Sequence, residues 1–194
     1  CPLDAVREVA EAGEYRVEAV WRGLTDMGIH GILVPEELGG VGLGVLECAL
    51  LAEALGKVTA PVPFVASSVM FPVALQSAGS DAQRESWLPG IAAGQVVAGV
   101  AVSEQTGSRD TEGVSCEGDR LSGRAMFVVD GVDADVFLIA DREGRLYLVE
   151  SGAEGLAVET LRTIDRTRGV ASLTCDGTPA ELLAGSVDDS GPLA

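Results

Sequence analysis

The sequence predicts an α+β fold, in which an all-helical N-terminal domain (residues 1–95) precedes a domain of antiparallel β-strands (residues 96–185). Up to about residue 95, apolar residues recur at three- and four-residue steps, as on one face of a helix. Beyond that point they alternate with polar residues, which is the period of a strand. Residues 186–194 are polar and lack a hydrophobic pattern, so we expect them to begin a linker to a further domain.

The predicted helices each carry an apolar face or are apolar on nearly all sides, and they cover residues 3–28, 45–56, 63–79 and 80–94. Gly28 is a suitable C-terminal stop for the first of them. In the third, Pro72 predicts a kink, because proline removes a hydrogen bond of the helix. Ser80 and Gln83 form a capping box at the start of the fourth, and Pro89 is expected to bend or end it.

The predicted strands are short apolar or alternating runs separated by turn residues, and they cover residues 96–103, 112–116, 120–130, 135–141, 145–150, 155–161, 169–175 and 180–183. The intervening segments, such as "EGD", "REG" and "CDG", have the composition of tight turns. Short strands at roughly ten-residue spacing indicate an antiparallel barrel or sandwich.

The charge balance limits the classes of partner. Thirty acidic and 13 basic residues give the 194-residue chain a net charge of −17. This charge repels nucleic acids and anionic membranes, although a few local donors can still hold a small anionic ligand. No apolar stretch has transmembrane length, and the N-terminus lacks a signal-peptide pattern. Since the first residue is not Met, we expect the natural chain to begin earlier.

Cysteine and histidine usage argues against a metal centre. The four cysteines, Cys1, Cys48, Cys116 and Cys175, are far apart, and His30 is the one histidine. Zinc sites need clustered ligands, so no metal is predicted. Because Cys48 lies in an apolar helical pattern, we expect it to be a buried thiol, which fits a reducing, cytoplasmic location.

Six phrases of the sequence resemble the acyl-CoA dehydrogenase family in order and spacing. They are "GIHGILVPEELGGVGLG" (28–44), "AEALG" (52–56), "GSDAQRESWLPGIAAGQ" (79–95), "VAVSE" (100–104), "LSGRAMFVVDGVDADVFLIA" (121–140) and "LRTIDRTRGVASLTCDG" (161–177). The resemblance implies a helical domain, a middle β-barrel and a C-terminal helical bundle, with FAD oxidising an acyl-CoA to the 2,3-enoyl-CoA. The glutamate that takes the α-proton normally lies in the bundle. No catalytic residue is therefore expected here, and residues 1–194 alone are expected to be inactive.

The resemblance assigns the stretch "VAVSEQTGSRD" (100–110) to a flavin-facing loop. Val100 and Val102 match the strand that leads into the site, and Ser103 keeps a hydroxyl where the family has a threonine at the flavin's pyrimidine edge. Ser108 or Arg109, depending on a one-residue shift, matches the serine near the CoA phosphates. From the residues alone, the same stretch also fits a polar surface turn.

A second phrase, "FVV" (127–129), matches the family's W-x-T. Phe127 can stack on the isoalloxazine ring, whereas Val129 lacks the hydroxyl and can offer at most its backbone N–H. A plain buried strand that enters a turn at Asp130–Gly131 explains these residues equally well.

Three further features have structural interpretations. The glycines of Pro35–Gly40 fit either a close approach near the acyl entrance or a tight loop. We expect His30 to be a hydrogen-bonded structural histidine. In "TIDRTR", Asp165 is expected to pair with Arg166 or Arg168 in a turn of the barrel.

Two functions remain open at this point. The chain is part of a FAD-dependent acyl-CoA dehydrogenase that passes electrons to an electron-transfer flavoprotein or similar acceptor, or it is a non-catalytic subunit of a hetero-oligomer with an altered flavin site. The retained Ser103, Glu104 and Phe127 favour the first function, whereas Gln105 and Val129 favour the second. Either function implies a homo- or hetero-oligomer.

Overall fold

The structure is a computed structural model that describes residues 1–102 and 113–187. The α+β class is confirmed, with helices in the first half and strands in the second. The helices are α1 (Leu3–Ala12), α2 (Glu18–Asp26), α3 (Val45–Lys57), α4 (Phe71–Ala78) and α5 (Asp81–Ala92), with a π-helical segment at Val65–Met70 and 3₁₀ turns at Ile29–Gly31, Glu36–Leu38 and Ala184–Val187. Among these residues, no helix combines the length and the apolar character that a membrane span needs.

The first predicted helix, 3–28, is two helices in the structure. Gly13 has a φ of 74° and ends α1, because a left-handed residue cannot continue the helix. The backbone of Val17 is then extended, and its N–H donates to the Pro61 carbonyl at 3.0 Å. The sequence pattern missed this break because apolar spacing continues across it.

The later helices follow the predictions with two differences. Instead of a kink at Pro72, the structure has a π-helical segment that runs directly into α4, and Pro72 lies just after the junction of the two. Pro89 lies inside α5 without ending it. The predicted capping box is confirmed, since the Gln83 N–H donates to the Ser80 hydroxyl at 3.2 Å and the Ser80 N–H donates to the Gln83 side chain at 2.9 Å.

The described residues then form eight strands: β1 (Ala98–Ala101), β2 (Val114–Glu117), β3 (Arg120–Val128), β4 (Val136–Ala140), β5 (Leu146–Glu150), β6 (Leu156–Thr160), β7 (Ala171–Pro179) and β8 (Glu181–Leu182). They form two four-stranded sheets, β1-β4-β5-β8 and β2-β3-β7-β6. All pairs within the sheets are antiparallel except β1–β4, which is parallel. The proposed domain boundary at residue 95 falls between α5 and β1 and stays a prediction.

Two apolar clusters hold these layers together. One lies between α4, α5 and the first sheet, and its fully buried members include Phe71, Leu75, Leu88, Val100 and Val136. The other lies between the two sheets and includes Leu121, Phe137, Ile139 and Leu173. The helical half therefore packs on the same sheet that carries Val100 and fixes the position of that strand relative to the helices.

Candidate functional site

The two sequence phrases expected to face a flavin meet in space. The Val100 N–H donates to the Val129 carbonyl at 3.0 Å, and the Val129 N–H donates to the Val100 carbonyl at 2.9 Å. This mutual pair joins the end of β3 to β1 and so links one sheet to the other. Val102 and Val129 are partly buried against the apolar cluster beneath the helices.

Phe127 is the exposed aromatic residue at this seam. It has a φ of 55°, and it lies where the β3–β7 register shifts between Ala125 and Val128. At this irregularity 44% of the residue is exposed. An exposed aromatic face at a strand end suits stacking on a planar ring, and positive φ at a non-glycine residue is often found at functional sites.

The backbone N–H of Val129 is not free to bind a ligand, contrary to the sequence-based expectation. Its backbone N–H, the one polar donor that the sequence left to it, is already bonded to Val100. The Val100 N–H and carbonyl are likewise used by Val129. Neither backbone is therefore free to donate to a ligand, and the Val100 side chain is buried in the apolar cluster. Phe127 is the exposed side chain of this region that suits the face of a flavin ring, and donors to the pyrimidine edge have to come from elsewhere.

Three residues predicted to bind ligand lie outside the described residues. They are Ser103, the expected hydroxyl at the flavin edge, and Ser108 and Arg109, expected near the CoA phosphates. Their roles stay predictions.

Asp130 is a residue of this region that the sequence analysis treated as part of a turn. It is 5% exposed and has a φ of 53°. Its carboxylate accepts the Ala66 N–H of the π-helical segment at 3.1 Å and lies 3.8 Å from an Arg168 guanidinium nitrogen. Asp130 therefore ties the strand end beside Phe127 to the helical half. In the sequence, Asp130–Gly131 indicates only a turn that tolerates a left-handed conformation. The contact of Asp130 with Ala66, 64 residues away, could not be predicted from it.

Arg168 and Asp165 do not form the predicted ion pair. Arg168 lies near Asp130 and donates to the Val62 carbonyl at 3.4 Å. Asp165 instead accepts the N–H and the hydroxyl of Thr167 at 2.9 and 2.6 Å. The hydroxyl contact is the main reason that the pKa of Asp165 is lowered, and the charge of Arg168 helps to lower it.

His30 is the buried structural histidine that the sequence predicted. Its Nε2 lies 3.2 Å from the Trp21 carbonyl, which can only accept, so Nε2 carries the proton and Nδ1 accepts from the Ser68 hydroxyl at 3.3 Å. Burial lowers the pKa of His30, which keeps the ring neutral. All four cysteines are free thiols, and Cys48 is buried as expected. Across residues 1–102 and 113–187, no group of three or more His, Cys, Asp or Glu is placed to hold a metal.

Residues 3–95 match the family model for the N-terminal domain of acyl-CoA dehydrogenases. The chain belongs to the acyl-CoA dehydrogenase family. Acyl-CoA dehydrogenase FadE27 of Mycobacterium tuberculosis is 33% identical over 167 residues, which are 84% of this chain and 45% of that protein. The chain thus spans about half the length of the curated relatives it matches.

Solved structures of the family have the same fold. The ChsE4–ChsE5 complex of Mycobacterium tuberculosis matches with a TM-score of 0.82 and 30% identity, over 93% of this chain and 51% of that one. A variant of the Tcur3481–Tcur3483 steroid ACAD matches with a TM-score of 0.74 and 27% identity, over 94% of this chain and 56% of that one. The first is named as a complex of two proteins, and the second as a steroid ACAD with two named components.

The buried carboxyl of Asp130 makes the stability of this family member depend on pH. Burial raises the pKa of Asp130, against the opposing effects of the Ala66 N–H and the Arg168 charge. Because the folded-state pKa lies above the unfolded value of about 3.9, the folded protein binds this proton more tightly. The resulting stabilisation is complete below that unfolded value and is lost as pH rises through the raised pKa. We expect Asp130→Asn to remove this part of the pH dependence in urea unfolding measured at several pH values.

Asp165→Asn is the matched control, because the pKa of Asp165 is lowered rather than raised. Its contribution should be lost as pH falls, so the two variants should change the slope of stability against pH in opposite directions. An unchanged slope in Asp130→Asn would show that the carboxyl has no raised pKa in the folded protein.

Proposed function

We propose that this chain is part of a flavin-dependent acyl-CoA dehydrogenase, which removes the α-proton and the β-hydride of an acyl-CoA thioester to give the 2,3-enoyl-CoA. The exposed Phe127, held at the junction of β3 and β1, is the observation that carries the proposal. The family membership of the helical half supports it.

FAD, when bound, supplies the acceptor for the two electrons of the hydride. In this proposal Phe127 stacks on the ring, Val102 and Val129 provide apolar contact, and the Ser103 hydroxyl faces the pyrimidine edge. Val100, predicted to contact the cofactor, is buried and instead holds Val129 in place. Ser108 or Arg109 approaches the CoA phosphates. The α-proton of a thioester is weakly acidic, so its removal needs a base within hydrogen-bond reach. We propose that this base is a glutamate outside the 194 residues.

The surface of α3 supports an assembly that covers it. Leu46 and Leu50 are 70% and 58% exposed, and Cys48 is the one fully buried residue of this helix. Large apolar side chains exposed one helical turn apart are consistent with a surface that contacts another domain or subunit. We propose a homo- or hetero-oligomer that passes electrons to an electron-transfer flavoprotein, in a cytoplasmic setting.

The experiment uses the complete protein, purified with any co-expressed partner subunit. Its flavin absorbance after desalting and its electron transfer from a panel of acyl-CoAs to an artificial acceptor are measured. Stoichiometric flavin with turnover supports the proposal, whereas a flavin-free protein with no turnover contradicts it.

A second candidate function is that of a non-catalytic subunit, favoured by the apolar Val129 and by the mutual bonding of its N–H with Val100. In that case the assembly should hold flavin only at the site of its partner. Flavin bound per copy of this chain distinguishes the two functions.

Ser103→Ala should weaken flavin binding in the complete protein by about 0.5–1.5 kcal/mol, the value of one hydrogen bond. The affinity is measured by flavin fluorescence during titration of the apoprotein. Ser103→Thr is the matched control, because it keeps the hydroxyl, and it should bind flavin like the parent. Equal flavin affinities of the alanine and threonine variants would show that the Ser103 hydroxyl does not contact the flavin.

A further inference from the structure

The π-helical segment Val65–Met70 contacts both strands of the seam between Val100 and Val129. Two consecutive residues of the segment make these contacts. Ala66 bonds to the chain just beyond the end of β3, and Ser67 bonds to β1. π-helical turns are rare and are frequently found at functional sites. The segment is therefore placed to hold the two strands of the seam together.

Ser67 takes the place of a neighbouring strand at the edge of β1, which is the outermost strand of its sheet. The Ala98 N–H donates to the Ser67 hydroxyl at 2.9 Å, and this hydroxyl donates to the Ala98 carbonyl at 3.4 Å. Both residues are buried, so removing the hydroxyl takes an acceptor from a main-chain N–H that lies away from water. Two residues further along β1, Val100 makes the equivalent pair of bonds with Val129.

Asp130 is held by the residue next to Ser67, because its carboxylate accepts the Ala66 N–H at 3.1 Å. Phe127 and Asp130 have φ values of 55° and 53°, so this strand end contains two left-handed residues other than glycine within four positions. Such a backbone is costly and persists only where surrounding contacts fix it. The bond from Ala66 is one of those contacts, and together with the bonds of Ser67 it holds both sides of the seam.

Ser68, the next residue of the segment, anchors it to the helical half. Its hydroxyl donates to Nδ1 of His30 at 3.3 Å, and Nε2 of His30 donates to the Trp21 carbonyl at 3.2 Å. The His30 and Trp21 rings lie 3.8 Å apart between centroids. These buried contacts fix the segment, so Ala66 and Ser67 hold the seam from a rigid support.

We propose that Ser67 and Asp130 are positioning residues, which set the orientation of Phe127 toward the flavin by holding the seam. The proposal rests on the proposed function, in which Phe127 stacks on the flavin ring. Ser67 is 1% exposed and Asp130 is 5% exposed, so neither side chain is the stacking group. They act on the cofactor through the Val100–Val129 pair and through the backbone of Phe127.

The first test is hydrogen exchange in the complete protein freed of flavin, followed by mass spectrometry in peptides that contain Val100 or Val129. Ser67→Ala should speed exchange there by about ten-fold beyond what its effect on overall unfolding accounts for, because the edge of β1 loses its support. Ser186→Ala is the matched control. The buried Ser186 hydroxyl accepts the Leu146 N–H of β5 at 3.1 Å, in the same sheet but away from the seam. This variant should speed exchange at the seam only as far as overall stability falls.

The second test is a double-mutant cycle on flavin affinity, measured by fluorescence during titration of the apoprotein. Ser67→Ala and Phe127→Ala should each weaken flavin binding by about five-fold or more. The double variant should bind flavin no more weakly than Phe127→Ala alone, because Ser67 acts through Phe127. A merely structural role of Ser67 would give additive losses. Ser186→Ala should bind flavin like the parent.

Asp130→Ala is the second variant, and it should behave like Ser67→Ala in both tests. Melting temperatures establish that each variant is folded. Additive losses in the cycle, or exchange at the seam that only follows overall stability in both Ser67→Ala and Asp130→Ala, would overturn the proposal. A parent protein that binds no flavin would contradict the proposed function instead. In that case faster exchange at the seam still supports its fixation by these two residues, and unchanged exchange contradicts it.

Discussion

Gly40→Ala is expected to lower the free energy of unfolding by about 3 kcal/mol or more. A Cβ at this position would lie 1.9 Å from the carbonyl oxygen and 2.5 Å from Cβ of Val34, which is fully buried. Main-chain atoms of a packed segment cannot move aside as the end of a flexible side chain can, so the segment 34–40 has to rearrange. Urea unfolding followed by circular dichroism measures the change.

Gly39→Ala is the matched control next to it in the sequence. Gly39 has a φ of 83°, but a Cβ there meets nothing within 4 Å. Only the left-handed conformation is penalised, at about 1–2 kcal/mol. A Gly40→Ala variant as stable as Gly39→Ala would contradict the close packing of this turn.

Phe71→Ala should cost about 3–5 kcal/mol, as for other fully buried aromatic side chains. Phe71 has no exposed surface, and its ring meets that of Trp87 edge-on, with centroids 6.4 Å apart. It belongs to the cluster that joins α4 and α5 to the strand of Val100. Its loss should therefore loosen the helical half from the sheet, which hydrogen exchange at β1 can detect alongside the fall in stability.

Val73→Ala, on the same helix, serves as the comparison. Val73 is 43% exposed, and surface substitutions of this kind usually change stability by about 0.5 kcal/mol or less. If Phe71→Ala and Val73→Ala lowered the stability equally, the apolar cluster around Phe71 would not be what holds the helices on the sheet.

Local patterns were sufficient to predict most of the elements. Ser80 and Gln83 marked a helix start because capping is a contact between near neighbours. The break at Gly13 was missed because the apolar spacing continues through it. A single glycine can lie within a helix as well as at its end, so its presence does not predict a break. The parallel pairing of β1 with β4 could not be predicted either, since it depends on contacts between residues 38 positions apart, such as Ala98 and Val136.

The roles of the candidate site residues stay predictions. The family's phrases drew attention to Phe127 and Val129, and the structure pairs Val129 with Val100. What the sequence could not show is how their backbone groups are used, because a hydrogen bond between Val129 and Val100 depends on the meeting of two strands. Asp130 was missed for the same reason, since its partners Ala66 and Arg168 are distant in sequence.

The seam between Val100 and Val129 has an evolutionary consequence. Main-chain atoms alone make its two hydrogen bonds, so the barrel places no demand on the side-chain hydroxyl at position 129. The two hydrogen bonds of the seam therefore form equally well with valine or threonine at position 129. Descendants of one ancestral gene can lose or regain a cofactor contact at this point while inheriting the same architecture. The fold and the cofactor contact at this position can therefore be inherited separately.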